Sequence, residues 1–260
     1  MVVDHPLVTD VRLAGGSVVR AGTDEACSNE DIERALDSPG ACALLLVASR
    51  LTAFHNVNAP GAVAAARTRG IPVIIDDAAQ DMRIPDLLAT GADAVLVSAH
   101  KYLASPTAGL VLDTHRFVES FRAQEVGIGR GMKPSKEAIF GVLAALEDRQ
   151  ALDLMAWRGR QDDKVEMAVA LLGACPGIQA TAEPDPVCMP FQRVVVSFRR
   201  GVSMAHQVVQ ALKTGRPSIW VMEHRLGRGA IQLELVALAE LEIRQIVEAI
   251  ASAVAAADCR

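Results

Sequence analysis

Four short, nearly uninterrupted apolar runs in the first half of the chain restrict its fold more than any other feature: "ACALLLVAS", "IPVIIDDA", "ADAVLVSA" and "AGLVLDT". None approaches the roughly 20 apolar residues of a membrane span, and each suits a strand buried on both faces. Helical segments separate the first three. "SNEDIERAL" places Ser28 as N-cap with Asp31 three residues on, a variant of the capping box. "APGAVAAARTRG" reads as a helix closed by Gly70, and "RIPDLLATG" as a shorter one. Apolar strands alternating with helices predict an α/β fold with a mostly parallel sheet covered on both faces. A further short strand is expected at "GSVVRAG".

From about Pro134 the pattern turns helical. "SKEAIFGVLAALEDRQALDLMAW" running into "RQDDKVEMAVALLGA" predicts one long or kinked helix. After it come strand candidates "RVVVSF", "SIWVMEH" and "AIQLELVAL", with helices at "SMAHQVVQALKTG" and "AELEIRQIVEAIASAVAAA". The expected organisation is a large domain over 1–150 and a smaller C-terminal α+β domain over 151–260. Only 3% of the 260 residues are aromatic, so Ala, Val, Leu and Ile must build both cores. A net charge of −5 gives no basic surface to attract a polyanion, and nucleic acid is not an expected partner. Five scattered cysteines, Cys27, Cys42, Cys175, Cys188 and Cys259, contain no C-x-x-C pair. They read as reduced thiols rather than disulfides or metal ligands. With no signal-peptide pattern at the start, a cytoplasmic protein without membrane or metal association is expected.

In parallel sheets the ligand sits beyond the carboxyl ends of the strands. That rim receives Asp76, at the end of "IPVIIDD", and His100–Lys101, just after "AVLVSA". The carboxylate and the lysine are about 25 residues apart, the spacing of one strand–helix–strand crossover. Two readings fit. One is an ion pair at a sheet edge. The other is a pyridoxal 5'-phosphate site, in which a lysine forms a Schiff base with the cofactor aldehyde and a carboxylate holds the pyridine nitrogen protonated. The small residues of "ASPTAG" suit close approach of a ring.

Four motifs in order, "PVIIDDAAQ", "GADAVLVSAHKYLASPTAGLVLD", "GIGRGMKPSKEAIFGVLAALE" and "PSIWVMEHRLGRGAIQLEL", resemble the fold-type I pyridoxal phosphate family that includes selenocysteine synthase and D-glucosaminate-6-phosphate ammonia-lyases. The resemblance implies Lys101 as the Schiff-base lysine and Asp76 as the partner of the pyridine nitrogen. Asp77 stands where a small residue is usual. It also implies cofactor contacts from His100 and Gln80. Arg130, Lys133 and Lys136, at the start of a helix that favours anions, are expected to bind phosphate or a substrate anion. The resemblance makes Arg225 or Arg228 the candidate for the substrate carboxylate, because Met222 occupies the position where the family pattern has an arginine.

The implied activity is a lyase that removes the Cα proton of an amino acid or amino-sugar acid and expels a β-leaving group. The alternatives are a selenium or sulfur transferase acting on aminoacyl-tRNA, or a non-catalytic or split partner subunit. The family resemblance begins after the loop expected to hold the cofactor phosphate. The expected assembly is a homodimer or higher oligomer, or a complex with a second chain that supplies that part.

Overall fold

The computed structural model describes residues 6–23, 26–48, 57–78, 83–113, 115–185 and 189–258. The apolar runs become β1 (Leu44–Val47), β2 (Val73–Asp76) and β3 (Ala94–Ser98), all parallel. Leu44 stands beside Val73, and Asp76 beside Leu96. β4 (Gly109–Asp113) pairs antiparallel with β3, giving a mixed sheet in the order β1-β2-β3-β4. The cause is chain length. A parallel return needs a crossover of a dozen or more residues, and only residues 99–108 separate these two strands.

Strands this apolar need helical cover. Ile32 and Leu36 of α2 (Asn29–Leu36), Ala62, Val63 and Ala66 of α3 (Ala59–Thr68), and Leu87 of α4 (Ile84–Ala89) form one cluster with Leu46, Val73, Ile75, Val95 and Val97. Ser28 caps α2 through a reciprocal capping box: its hydroxyl accepts from the Asp31 N–H while the Asp31 carboxylate accepts from the Ser28 N–H. Those bonds hold the Asp31 carboxyl below its usual range. Gly70 lies at φ +65 just past α3, the left-handed position expected of a helix-closing glycine.

Several expectations need correction. "GSVVRAG" forms no strand among the described residues; Gly15 and Gly22, at φ +84 and +71, turn the backbone at either end of the run. The single long helix is two, α6 (Lys136–Ala151) and α7 (Leu154–Gly173). Leu152 is extended there, and Asp153 starts the next helix by accepting from the Ala156 N–H at 2.9 Å. "SIWVMEH" contributes one isolated bridge, Met222 to Gln232, and not a strand. Helices α1 (Pro6–Leu13) and α5 (His115–Ala123) were not anticipated.

The same break divides the chain into two compact units, Met1–Leu152 and Asp153–Arg260. The second unit has its own antiparallel sheet, ordered β5 (Ile178–Pro184), β6 (Gln192–Phe198), β7 (Ala230–Leu233). Val194, Val196, Phe198, Ile231 and Leu233 pack with Val165, Ala168 and Leu172 of α7. Met204, Val208 and Leu212 of α8 (Gly201–Thr214) and Ile243, Val247 and Ile250 of α9 (Glu240–Asp258) complete that core.

Candidate active site

Lys101 lies in the connection between β3 and β4, and its backbone is tightly held. Its N–H donates to the Ser98 carbonyl at 3.2 Å, and its own carbonyl accepts from Ala104 N–H at 3.0 Å. Ser105 N–H reaches back to Ala99, and Ala99 N–H to Ala108, both at 3.0 Å. Ala104 adopts φ +56, a left-handed conformation that costs a residue with a Cβ of order 1 kcal/mol. The cost is offset by what pins the loop from outside. Leu103 is buried in a small cluster with Ala99 and Val142 of α6. Arg149, near the end of the same helix, donates to the Tyr102 carbonyl at 2.6 Å. Gly141 faces Pro106 so closely that a Cβ there would lie 2.5 Å from the proline ring. Helix α6 thus clamps the loop at three points, and the side chains of His100 and Lys101 remain exposed at the rim.

On the neighbouring strand, successive residues face opposite sides. Asp76 is half-buried, and its Oδ1 accepts from the Ala78 N–H at 3.1 Å. Asp77 is 0% exposed, and its N–H donates to the Leu96 carbonyl at 2.8 Å. Of the two adjacent carboxylates, Asp76 is the one open to a ligand at the rim. An exposed primary amine and a half-exposed carboxylate at neighbouring strand ends are the donor set that a pyridine aldehyde requires, so these residues fit that cofactor. Gln80 lies outside the described residues.

Arg130 belongs to a 3-10 turn (Ile128–Met132), Lys133 is extended, and Lys136 opens α6; all three are exposed. A carboxylate already sits at this helix start. Glu137 accepts from its own N–H and from Ser135, which holds its carboxyl below the usual range. The three cations are therefore the available anion donors of this segment, more than the helix end itself.

In the second unit Arg225 is half-buried and holds Glu183 in a bidentate pair, at 3.0 and 2.6 Å. Met222 accepts from Arg193 Nη1 at 2.9 Å through its sulfur. Arg193 is buried, with its Nε 2.5 Å from Asp185 and its Nη1 2.7 Å from Glu234. Arg228 is exposed. This ionic cluster was not foreseen, since its carboxylates follow the ends of separate strands, Asp185 after β5 and Glu234 after β7; the arginine opening "RVVVSF" was its only signal. Shallow concavities of about 660 and 520 Å³ run along α8 and α9, and neither includes Lys101 or Asp76. Among the described residues no group of acidic, histidine or cysteine side chains is arranged to hold a metal ion. No helix is long and apolar enough to cross a membrane.

No protein-family profile matches the chain. Over 237 residues it is 30% identical to a 5'-C-glycyluridine monooxygenase-decarboxylase of a Streptomyces species, spanning 90% of this chain and 59% of that protein. Over 245 residues it is 27% identical to the D-glucosaminate-6-phosphate ammonia lyase of Salmonella typhimurium, spanning 93% of this chain and 65% of that one. The chain therefore covers less than two thirds of either relative. A solved D-glucosaminate-6-phosphate ammonia-lyase structure superposes with a TM-score of 0.74 at 27% identity, over 96% of this chain and 68% of that one. A methionine gamma lyase from Micromonospora echinospora shares the fold, with a TM-score of 0.62 at 20% identity over 96% of this chain and 72% of its own. Sequence and architecture agree: the chain is a homologue of D-glucosaminate-6-phosphate ammonia lyase with the fold of the fold-type I pyridoxal phosphate enzymes.

Proposed function

We propose that the protein is a pyridoxal 5'-phosphate-dependent lyase acting on an amino acid or amino-sugar acid, with Lys101 as its catalytic amine. One observation carries the reading: the exposed Lys101 stands on a clamped loop after β3, and the adjacent parallel strand β2 ends at the half-buried Asp76. When bound, the cofactor supplies an electron sink for the pair left behind as the Cα proton departs. Lys101 Nζ would hold the cofactor aldehyde, and the same amine would serve as the general base for the Cα proton. Its exposed position supports both tasks, because an amine at the rim is free to swing while the backbone beneath it stays fixed.

Asp76 would hold the ring nitrogen protonated by accepting a charge-assisted hydrogen bond from it. His100 and Gln80 are assigned to the cofactor by the family resemblance. Arg130, Lys133 and Lys136 are assigned to a phosphate or other anion, a reading supported by their exposed charges. For a substrate carboxylate, Arg225 would have to exchange its Glu183 partner, which makes the exposed Arg228 the readier of the two guanidinium groups. The same reading includes a cytoplasmic location and an oligomeric assembly.

Borohydride reduction of protein mixed with pyridoxal phosphate, followed by peptide mass spectrometry, tests the assignment. The label is expected on the peptide containing "SAHKYLASP" and lost in Lys101→Ala. Label on Lys133 or Lys136 instead would refute it.

A further inference from the structure

Two of the three contacts that hold the Lys101 loop are apolar. Leu103 packs against Val142, and Pro106 lies against Gly141. Apolar contacts are non-directional: they fix how close the loop comes to α6, but not how any peptide plane in it is turned. The third contact is directional. Arg149 Nη2 donates to the Tyr102 carbonyl at 2.6 Å, from 47 residues along the chain. A charged donor makes such a bond short and strong. A cation in the last turn of a helix ordinarily complements that helix's own C-terminal carbonyls. Here the guanidinium reaches off α6 to the residue that follows Lys101.

The bond acts on a turn that is held elsewhere only by its own backbone. Lys101 N–H donates to the Ser98 carbonyl at 3.2 Å, and the Lys101 carbonyl accepts from the Ala104 N–H at 3.0 Å. The second of these needs Ala104 in its left-handed conformation, φ +56, which a residue with a Cβ leaves unless its surroundings hold it there. Rotating the peptide between Tyr102 and Leu103 is the motion that lets Ala104 relax. A carbonyl fixed by Arg149 opposes that rotation. Asp76 ends the adjacent strand, so a relaxed turn shifts the amine relative to that carboxylate.

We infer that Arg149 is a positioning residue for Lys101: through the Tyr102 carbonyl it holds the left-handed turn that aims the amine. Arg149 acts on the backbone beneath Lys101, not on a reacting atom. The inference rests on the assignment of Lys101 in the proposed function.

Two measurements on the full chain separate the turn from its consequence. Hydrogen–deuterium exchange on cofactor-free protein reports on the turn. Arg149→Met keeps most of the side-chain length and removes the donors. It should speed exchange in peptides covering residues 99–108 about tenfold, while β1, β2 and the second unit keep their protection. Borohydride reduction with limiting pyridoxal phosphate reports on the aim of the amine. Label on the Lys101 peptide should fall about tenfold, the scale expected when a reacting group is misplaced. Arg149→Lys, which keeps a cationic donor but not the fork, should restore both to within about threefold. Arg149→Gln replaces the methionine variant if that one fails to fold. Val63→Ala is the control for stability alone, because Val63 is 2% exposed in the core of the same unit and makes no contact with the clamp. It should lower the denaturation midpoint and leave the label unchanged. Unchanged exchange over 99–108 in Arg149→Met would overturn the inference, as would faster exchange with full labelling. An equal loss of label in Val63→Ala would reduce the effect to stability and overturn it too. A wild type that takes no label at Lys101 would overturn the assignment of that lysine, and the aiming role with it, even where the exchange result shows Arg149 holding the turn.

Discussion

Asp76 and Asp77 are chemically identical neighbours with opposite environments. The pleat sends Asp76 toward the rim and Asp77 into the protein, where it is 0% exposed. Substituting each by Asn should therefore give different failures. Asp76→Asn is expected to cut turnover by about 10²-fold or more, the scale of losing one electrostatic partner at a reacting centre, with thermal stability unchanged. Asp77→Asn is expected to lower the melting temperature, by about 1–3 kcal/mol of stability, because it alters a buried polar group. If the turnover loss belongs to Asp77 instead, the rim residue has been chosen wrongly. The pair was visible in "IIDDAAQ", and so was Lys101, because charged groups directly after apolar strands stand out. Arg193 was not. An arginine at the start of a strand reads as solvated, and only the fold brings Asp185 and Glu234 to it. The same non-local pairing ties Arg225 to Glu183, which no spacing along the chain could reveal.

Among the elements, the four strands of the first sheet were legible and the clamp on the lysine loop was not. Runs such as "ADAVLVSA" declare themselves by being apolar throughout, whereas β5, "IQATAEP", is mostly exposed and resembles a loop. The antiparallel turn of β4 followed from the short connection rather than from composition. Helix α6 was visible from its periodicity, yet its role in holding the Lys101 loop depends on residues 35 or more positions away from the contacts they make. Gly141 was the available hint, because a glycine inside a helix costs about 1 kcal/mol relative to alanine unless something needs the space. Here Pro106 does. Gly141→Ala should thus fail to deliver the usual gain and should cost about 1–3 kcal/mol, as overpacking does. Combining it with Pro106→Ala, which removes the opposing ring atoms, should recover part of that loss. Chemical denaturation of the two single variants and the double variant measures the coupling; simple additivity would mean that helix and loop do not meet as described.

At the scale of the whole molecule, the boundary at Leu152–Asp153 separates two cores. The helical pattern concealed it, since periodicity continues across the break and only the capping role of Asp153 marks a new start. The second unit, Asp153–Arg260, packs three strands against α7, α8 and α9 through a continuous set of buried Val, Ile, Leu, Met and Phe side chains. A stretch of that size with its own core lies within the range of domains that fold alone. Its buried arginine also finds both carboxylates within the unit, so excision leaves no desolvated charge behind. A fragment comprising Asp153–Arg260 is therefore expected to unfold in one cooperative transition, with urea curves from near-ultraviolet absorption of its two tryptophans, Trp157 and Trp220, and from backbone dichroism coinciding. Separated curves, or a gradual loss of dichroism without a midpoint, would mean that this core depends on the unit carrying Lys101. Coincident curves would mean that the second unit folds without the one carrying Lys101.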